Sequence, residues 1–335
     1  MNSFSHQQRA RKQQGVALIM AILIVALATI LAVNVATDGY MDQRRSGTVL
    51  LVDQAYEAGL GAEALAAEAL LVHEQGNGPK EDSLNQAWAQ EVTLPMDEGI
   101  GEVTGHLEDL QGRFNLNSLI NPNGNENAEA KVQFGSLLTR VGVDTKWVGI
   151  VADWIDADNI PDPLGGAEDS IYSSQLPPYL TANMPITRTS ELLAMVDSSG
   201  KSFGLDNYRL LEPFITALPI DTQLNICTAP PEVLDSLAPT MDEYTTASGR
   251  ANLIENRKSA CFPKITDINR SFGNNLDKAF GELTSKHPGY LVDISSYFRA
   301  NILVSIGTTE LAMYSVLQRN SGGKVHTILR SFGTP

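Results

Sequence analysis

The sequence is poor in cysteine, histidine and cationic side chains. Its 335 residues hold two Cys and five His, too few for a disulfide-dense scaffold or a His-rich metal centre. Lys and Arg total 24 against 39 Asp and Glu, a formal net charge of −15. Such a chain lacks the cationic clusters that give phosphate-backbone binders their affinity, so nucleic acid is not expected as a partner. There is no Gly-x-Ser-x-Gly elbow and no His-Glu-x-x-His pair, which leaves nucleophilic and zinc hydrolases without local support. Gly200-Lys201-Ser202 has the ending of a phosphate-binding loop, but Met195 stands where that motif needs its first Gly. Asp156 with Glu168 would be the suspects for a carboxylate-pair glycosidase; no enzyme is expected. Hydrophobic residues make up 43% and charged residues 19%, so most of the chain can fold.

The apolar residues are concentrated first near the N-terminus. Arg9, Arg11 and Lys12 stand in an acid-free leader that ends at Gln13-Gln14-Gly15. Val16 to Thr37 follows as 22 residues without a charge. As a helix this run spans roughly 33 Å, enough to cross the hydrocarbon core of a bilayer. The apolar region of a cleaved signal is shorter, about 7 to 15 residues. Subtracting the three leader cations from −15 leaves −18 for the rest of the chain. With the basic leader held in the cytoplasm, the acidic body lies on the other side of the membrane.

From residue 38 to 75 the pattern becomes one-sided. Ala55, Ala58, Ala62, Leu65, Ala66 and Ala69 recur at spacings of three and four, with Glu57, Glu63 and Glu68 read as turned away from that stripe. The helix is expected to run to about Glu74 and to stop at Gly76-Asn77-Gly78-Pro79. Gly39, Gly47, Gly59 and Gly61 are candidate bend points. The Ala-rich stripe suits packing either on the chain's own domain or against other helices of the same kind.

A half-buried strand is expected around Val103, Gly105 and Leu107, followed by the block Asp109-Leu-Gln-Gly-Arg-Phe-Asn-Leu-Asn-Ser-Leu119. At the other end, Tyr297 to Ile306, Glu310 to Gln318 and Lys324 to Phe332 read as strands, the last two joined at Ser321-Gly322-Gly323. Residues 76–117 and 293–335 therefore form one small antiparallel sheet, interrupted by an insertion of residues 118–292 that reads as mostly helical. Within it Thr228 is placed to cap a helix entered through Pro230-Pro231. The string Leu224 to Leu234 is similar to the approach of a helix-hairpin-helix.

Six acids and no base lie between Asp153 and Asp169. They are Asp153, Asp156, Asp158, Asp162, Glu168 and Asp169. Clustered carboxylates repel unless solvent or a cation screens them, and oxygen ligands without Cys or His favour calcium over zinc. The spacing is not that of an EF-hand, since the sixth position from Asp156 is Pro161 and the twelfth is Ala167. A solvated acidic loop without metal is the plain alternative. Cys227 and Cys261 are either bridged or two buried thiols.

A basic leader, a Gly, and a long apolar segment continuing into an amphipathic helix resemble the type IV pilins and the pseudopilins of type II secretion systems. The stretch from Trp88 through Leu119, the Asp153-Trp-Ile-Asp156 and Gly166-Ala-Glu-Asp169 block, and the Leu224 string resemble minor pseudopilin K, in that family's order. The resemblance implies an α+β pilin-like fold carrying an inserted helical domain. It implies cleavage by prepilin peptidase between Gly15 and Val16, separating the leader of residues 1–15 from the anchor of 16–37, with methylation of the new terminus. Pilins usually carry Glu at the fifth mature position, where this chain has Met20, as pseudopilin K does. A calcium ion in the helical domain is implied as well, with Asp156, Asp158, Glu168 and Asp169 as preferred ligands and Asp153 beside them. The implied partners are the minor pseudopilins of the I and J types, with H, at the pseudopilus tip, where the complex assists pseudopilus initiation and export of folded proteins. The implied location is the inner membrane, with the body in the periplasm. Two other readings stay open: a single-span anchored periplasmic protein that binds calcium, and a minor pilin of a type IV pilus.

Overall fold

The computed structural model describes residues 14–75, 80–96, 99–163, 165–237, 242–264, 290–320 and 322–334. Residues 1–13 of the basic leader, the Gly76 to Pro79 stop signal and Ser321 of the expected hairpin turn lie outside them.

Helix α1 runs from Gln14 to Gln75 without interruption, roughly 93 Å at 1.5 Å per residue. An 18-residue window within Gly15–Leu71 reaches a mean hydropathy of 3.1, and none of it is covered by the rest of the chain. Apolar side chains that no protein surface covers, over that length, fit a single-pass anchor. Further along, Ala55 and Leu70 are buried, and Leu51, Ala58, Ala62 and Ala66 pack beside them on a sheet.

That sheet is antiparallel and has five strands in the order β1-β2-β7-β8-β9. β1 is Val92–Pro95 and β2 is Gly101–Asp109. β7 is Tyr297–Ile306, β8 Thr309–Arg319 and β9 Val325–Phe332. Along β7 Phe298, Ala300, Ile302, Val304 and Ile306 are buried, the period-two pattern of a strand with one face on a core. β1 is an edge strand that the alternation near Val103 did not announce; its four residues are all exposed. At Gly59 helix and sheet approach closely: a Cβ there would stand 3.2 Å from Met313 Cε. It is thus a packing position, and α1 does not break at it.

One expectation is corrected on α1. Glu63 does not face away from the sheet but is 8% exposed and points into it. It accepts hydrogen bonds from Arg330, Thr327 and Ser315. A carboxylate on an Ala-rich stripe is buried here because three donors and one full charge meet it.

Between β2 and β7 the chain leaves the sheet. The short strand β3 (Phe114–Asn115) pairs in parallel with β4 (Ile215–Thr216), and β5 (Leu224–Asn225) with β6 (Leu291–Val292). Helices α2 (Ala128–Val141), α3 (Trp147–Ile155), α4 (Asp169–Tyr172), α5 (Leu205–Leu211), α6 (Pro231–Ser236) and α7 (Ala247–Arg257) build the rest, with 3-10 turns and long loops. The described insertion is therefore helical segments tied by two parallel strand pairs. Its core is separate from that of the sheet and gathers Phe114, Phe134, Leu137, Trp147, Ile150, Val151, Tyr172, Val233 and Leu234 among others.

The Asp109 to Leu119 block is the joint between the two cores. Asp109 Oδ2 accepts from Asn225 Nδ2 (2.8 Å), Thr228 Oγ1 (2.6 Å) and Ser295 Oγ (2.7 Å). Thr228 therefore does not cap α6, as expected from sequence; its hydroxyl is spent on Asp109, and α6 begins at Pro231 behind Pro230. Gln111 reaches Gln223, Ser296 and Tyr297. Asn117 donates to the carbonyls of Ile186 and Leu218 and accepts from Ile186 N. Buried amide side chains thus satisfy loop backbone that has no ladder of its own. Arg319, at the end of β8, pairs with Asp82 and donates to Ser295 O (2.6 Å).

Cys227 and Cys261 are joined in a disulfide with Cα atoms 4.7 Å apart. It ties the start of α6 to the segment after α7.

Candidate metal site

α3 carries Asp153 on its last turn and ends with Asp156 at its C-cap. Its nine residues are all buried, so the carboxylates are brought inside by a helix that packs for apolar reasons. The loop then turns back, and Glu168 stands at the N-cap of α4 without a side-chain cap bond. Gly166 makes the return: a Cβ there would collide with Asp153 Oδ2 and the backbone N of Asp162.

Oxygens of Asp156, Asp158 and Glu168 come within 4.8 Å of one another. Asp156 Oδ1 and both carboxylate oxygens of Glu168 are buried with no hydrogen-bond partner. Glu168 is 2% exposed. Burial pushes its carboxyl up to about 7, and the neighbouring Asp153, Asp156, Asp158 and Asp169 push the same way. Burial and then Asp158 push Asp156 up to about 6. Buried anions without donors are costly unless a cation pairs with them. Oxygen-only donors of this charge fit Ca2+.

A second group, Glu126, Asp153 and Asp162, also brings its oxygens within 4.8 Å. Asp153 is fully buried, and burial first, then the charges of Asp156 and Asp162, push its carboxyl up to about 7. Its two oxygens accept from Asp162 N at 3.1 and 3.2 Å. The segment itself holds no base, and one comes to it from another element. Lys131 of α2 pairs with Asp162 and, at 2.8 Å, with Glu126 Oε2. Burial works against its ammonium, but Asp162 and Glu126 outweigh that and hold its pKa above the ordinary lysine value.

The structure thus divides the residues singled out from sequence. Asp156, Asp158 and Glu168 come together; Asp153 belongs with Asp162 and Glu126. Asp169 is turned elsewhere, accepting from Thr181 N (3.0 Å), Thr181 Oγ1 (2.7 Å) and Asn159 Nδ2 (3.2 Å). Those hydrogen bonds hold its carboxyl below the usual range. Glu126 was not found from sequence, because it lies 27 residues before Asp153 and only the turn leading into α2 brings it back. Of the processing residues, Gly15 and Val16 lie in α1 and are exposed, as is Met20 at 60%.

A membrane-length helix that continues across one face of an antiparallel sheet, with a helical domain inserted into that sheet, defines a pilin-like α+β protein. The family model described as "Type II secretion system (T2SS), protein K" matches residues 112–220. Type II secretion system protein K of Pseudomonas aeruginosa is 34% identical over 334 residues, covering 96% of this chain and 94% of that protein. Its counterpart from Aeromonas hydrophila is 30% identical, covering 96% and 98%. Among solved structures, a chain of the GspK-GspI-GspJ complex from the enterotoxigenic Escherichia coli type 2 secretion system superposes with a TM-score of 0.71 at 24% identity. The match covers 87% of this chain and 100% of that one. The chain belongs to the type II secretion system protein K family and is a minor pseudopilin.

Proposed function

We propose that this minor pseudopilin caps the pseudopilus in complex with pseudopilins of the I and J types, and with H, and that it assists pseudopilus initiation and export of folded proteins. One placement carries the reading. Gly59 lies over Met313, Glu63 meets Ser315, and the following residues of β8 lead to Arg319, which is bonded to Asp82 and Ser295 at the joint with the helical domain. The inserted domain therefore sits at the end of the sheet farthest from the anchor. A subunit stacked above would meet that bulk. A solved relative assembles with GspI and GspJ, which supports the partner assignment. Met20, exposed on the anchor, lacks the carboxylate with which a Glu would reach a neighbour's terminal amine. The body is assigned to the periplasm and the anchor to the inner membrane, after cleavage between Gly15 and Val16 by prepilin peptidase and methylation of Val16. The role is structural, not enzymatic.

Asp156, Asp158 and Glu168 are proposed to hold calcium. A bound Ca2+ supplies the positive charge these carboxylates lack, and Glu168 and Asp156 offer it oxygens with no other partner. By ordering the loop after α3 it would stiffen that part of the helical domain.

The test is affinity purification of the full-length chain from membranes that contain the other minor pseudopilins, with and without an active prepilin peptidase. The expected result is a mature start at Val16 and co-purification of the I and J types only when the peptidase is active. A chain that keeps Met1, or that purifies without pseudopilins, overturns the reading.

A further inference from the structure

Two carboxylate groups lie side by side in the helical domain, and they are neutralised differently. In the Asp156, Asp158 and Glu168 group, three buried oxygens have no partner. In the Glu126, Asp153 and Asp162 group, every carboxylate has one. Lys131 pairs with Glu126 and Asp162, and Asp153 accepts from the backbone N of Asp162. The Lys131 side chain is only 12% exposed and that of Asp162 only 1%. The ammonium is thus not a surface charge passing by; it stands among these oxygens. Lys131 sits in the first turns of α2, whose N-cap Asn127 directly follows Glu126, so the same helix start delivers both members of the pair.

We propose that Lys131 is a built-in cation, filling the Glu126, Asp153 and Asp162 group so that the domain takes a single divalent ion, between Asp156, Asp158 and Glu168. This rests on the calcium reading given above. An ammonium carries one compact charge and three donors, which suits a site with two reachable carboxylates. A divalent ion entering the same group would have to displace it against direct repulsion. Replacing Lys131 by Met keeps much of the aliphatic stem and removes the charge. The second group then resembles the first, with carboxylates that lack a cation, and becomes a second calcium site.

The experiment counts ions on the full-length chain in detergent, stripped with chelator, reloaded with Ca2+ and freed of excess, by elemental analysis and by calorimetric titration. The wild type is expected to hold one Ca2+ per chain and Lys131→Met two. Two ions on the wild type leave the calcium reading intact and overturn the role of Lys131, as does one ion on Lys131→Met. No ion on the wild type removes the calcium reading itself. Should Lys131→Met fail to fold, Asp162→Asn in the wild-type background decides: an unchanged count of one supports the proposal, and loss of an ion overturns it.

Discussion

Arg330 of β9 grips Glu63 of α1 at two points, Nε to Oε2 at 2.8 Å and Nη2 to Oε1 at 2.7 Å. The contact joins residues 267 positions apart and anchors the last strand to the helix that carries the anchor. Ser315 and Thr327 complete the carboxylate's shell, so the pair is neither a loose surface bridge nor an isolated buried charge.

Glu63→Gln is therefore expected to destabilise the sheet domain by about 1–2 kcal/mol, the scale of lost charge-assisted hydrogen bonds. Burial alone would raise the Glu63 carboxyl, but the hydrogen bonds from Arg330, Ser315 and Thr327 and the Arg330 charge lower it below its ordinary value of 4.5. A depressed carboxylate contributes stability that is complete above that value and is lost as pH falls through the folded one. Thermal melts of wild type and variant should differ most above pH 4.5 and converge below it. Curves that stay parallel down to pH 3 would refute this account.

The joint between the two cores depends on the absence of one side chain. A Cβ at Gly112 would lie 2.6 Å from Thr228 Oγ1 and 3.0 Å from the Thr228 carbonyl carbon, while Thr228 is fixed by its bond to Asp109. Gly112→Ala should cost about 1–3 kcal/mol, as overpacking does, and should loosen the domains together. Limited proteolysis should cut the variant between β2 and β3 while the wild type resists.

For the calcium site, Glu168→Gln is expected to abolish the rise in melting temperature that Ca2+ gives the wild type. At a free Ca2+ of about 100 times Kd that stabilisation is about 2.7 kcal/mol. Gly166→Ala should do the same without removing any ligand, since its methyl group would collide with Asp153 and Asp162 N. Calcium-dependent melting that survives in both variants would place the ion elsewhere.

The disulfide joins cysteines 34 positions apart, and both half-cystines are buried. On the loop-entropy account, the double variant Cys227→Ser, Cys261→Ser should lose about 3–4 kcal/mol. Urea unfolding with and without reductant measures it: reductant should shift the wild-type midpoint and leave that of the variant unchanged.

Much of this molecule could be read in order along the chain. An uncharged run of 22 residues has one stable form in lipid. The alternation in β7 and β8 announces strands with one buried face. Six acids without a base in one loop need screening, by solvent or by a cation. Each is a local statement, because period, length and charge density are local quantities. What no local pattern contains is which distant group meets which. Glu63 looked like one more solvent-facing acid until β9 brought Arg330 to it. Thr228 had the position of a helix cap, yet Asp109 took its hydroxyl from 119 residues away. In the acidic loop sequence supplied the charge, but the turn at Gly166, the cap at Glu168 and the start of α2 decided its partition. They left three carboxylates without a partner, gave Asp169 to Thr181, and set Lys131 among the rest. Propensity and hydrophobic pattern act over a few residues, whereas pairing of buried charge is settled only when two cores have packed and every oxygen they enclose has found a donor or lacks one.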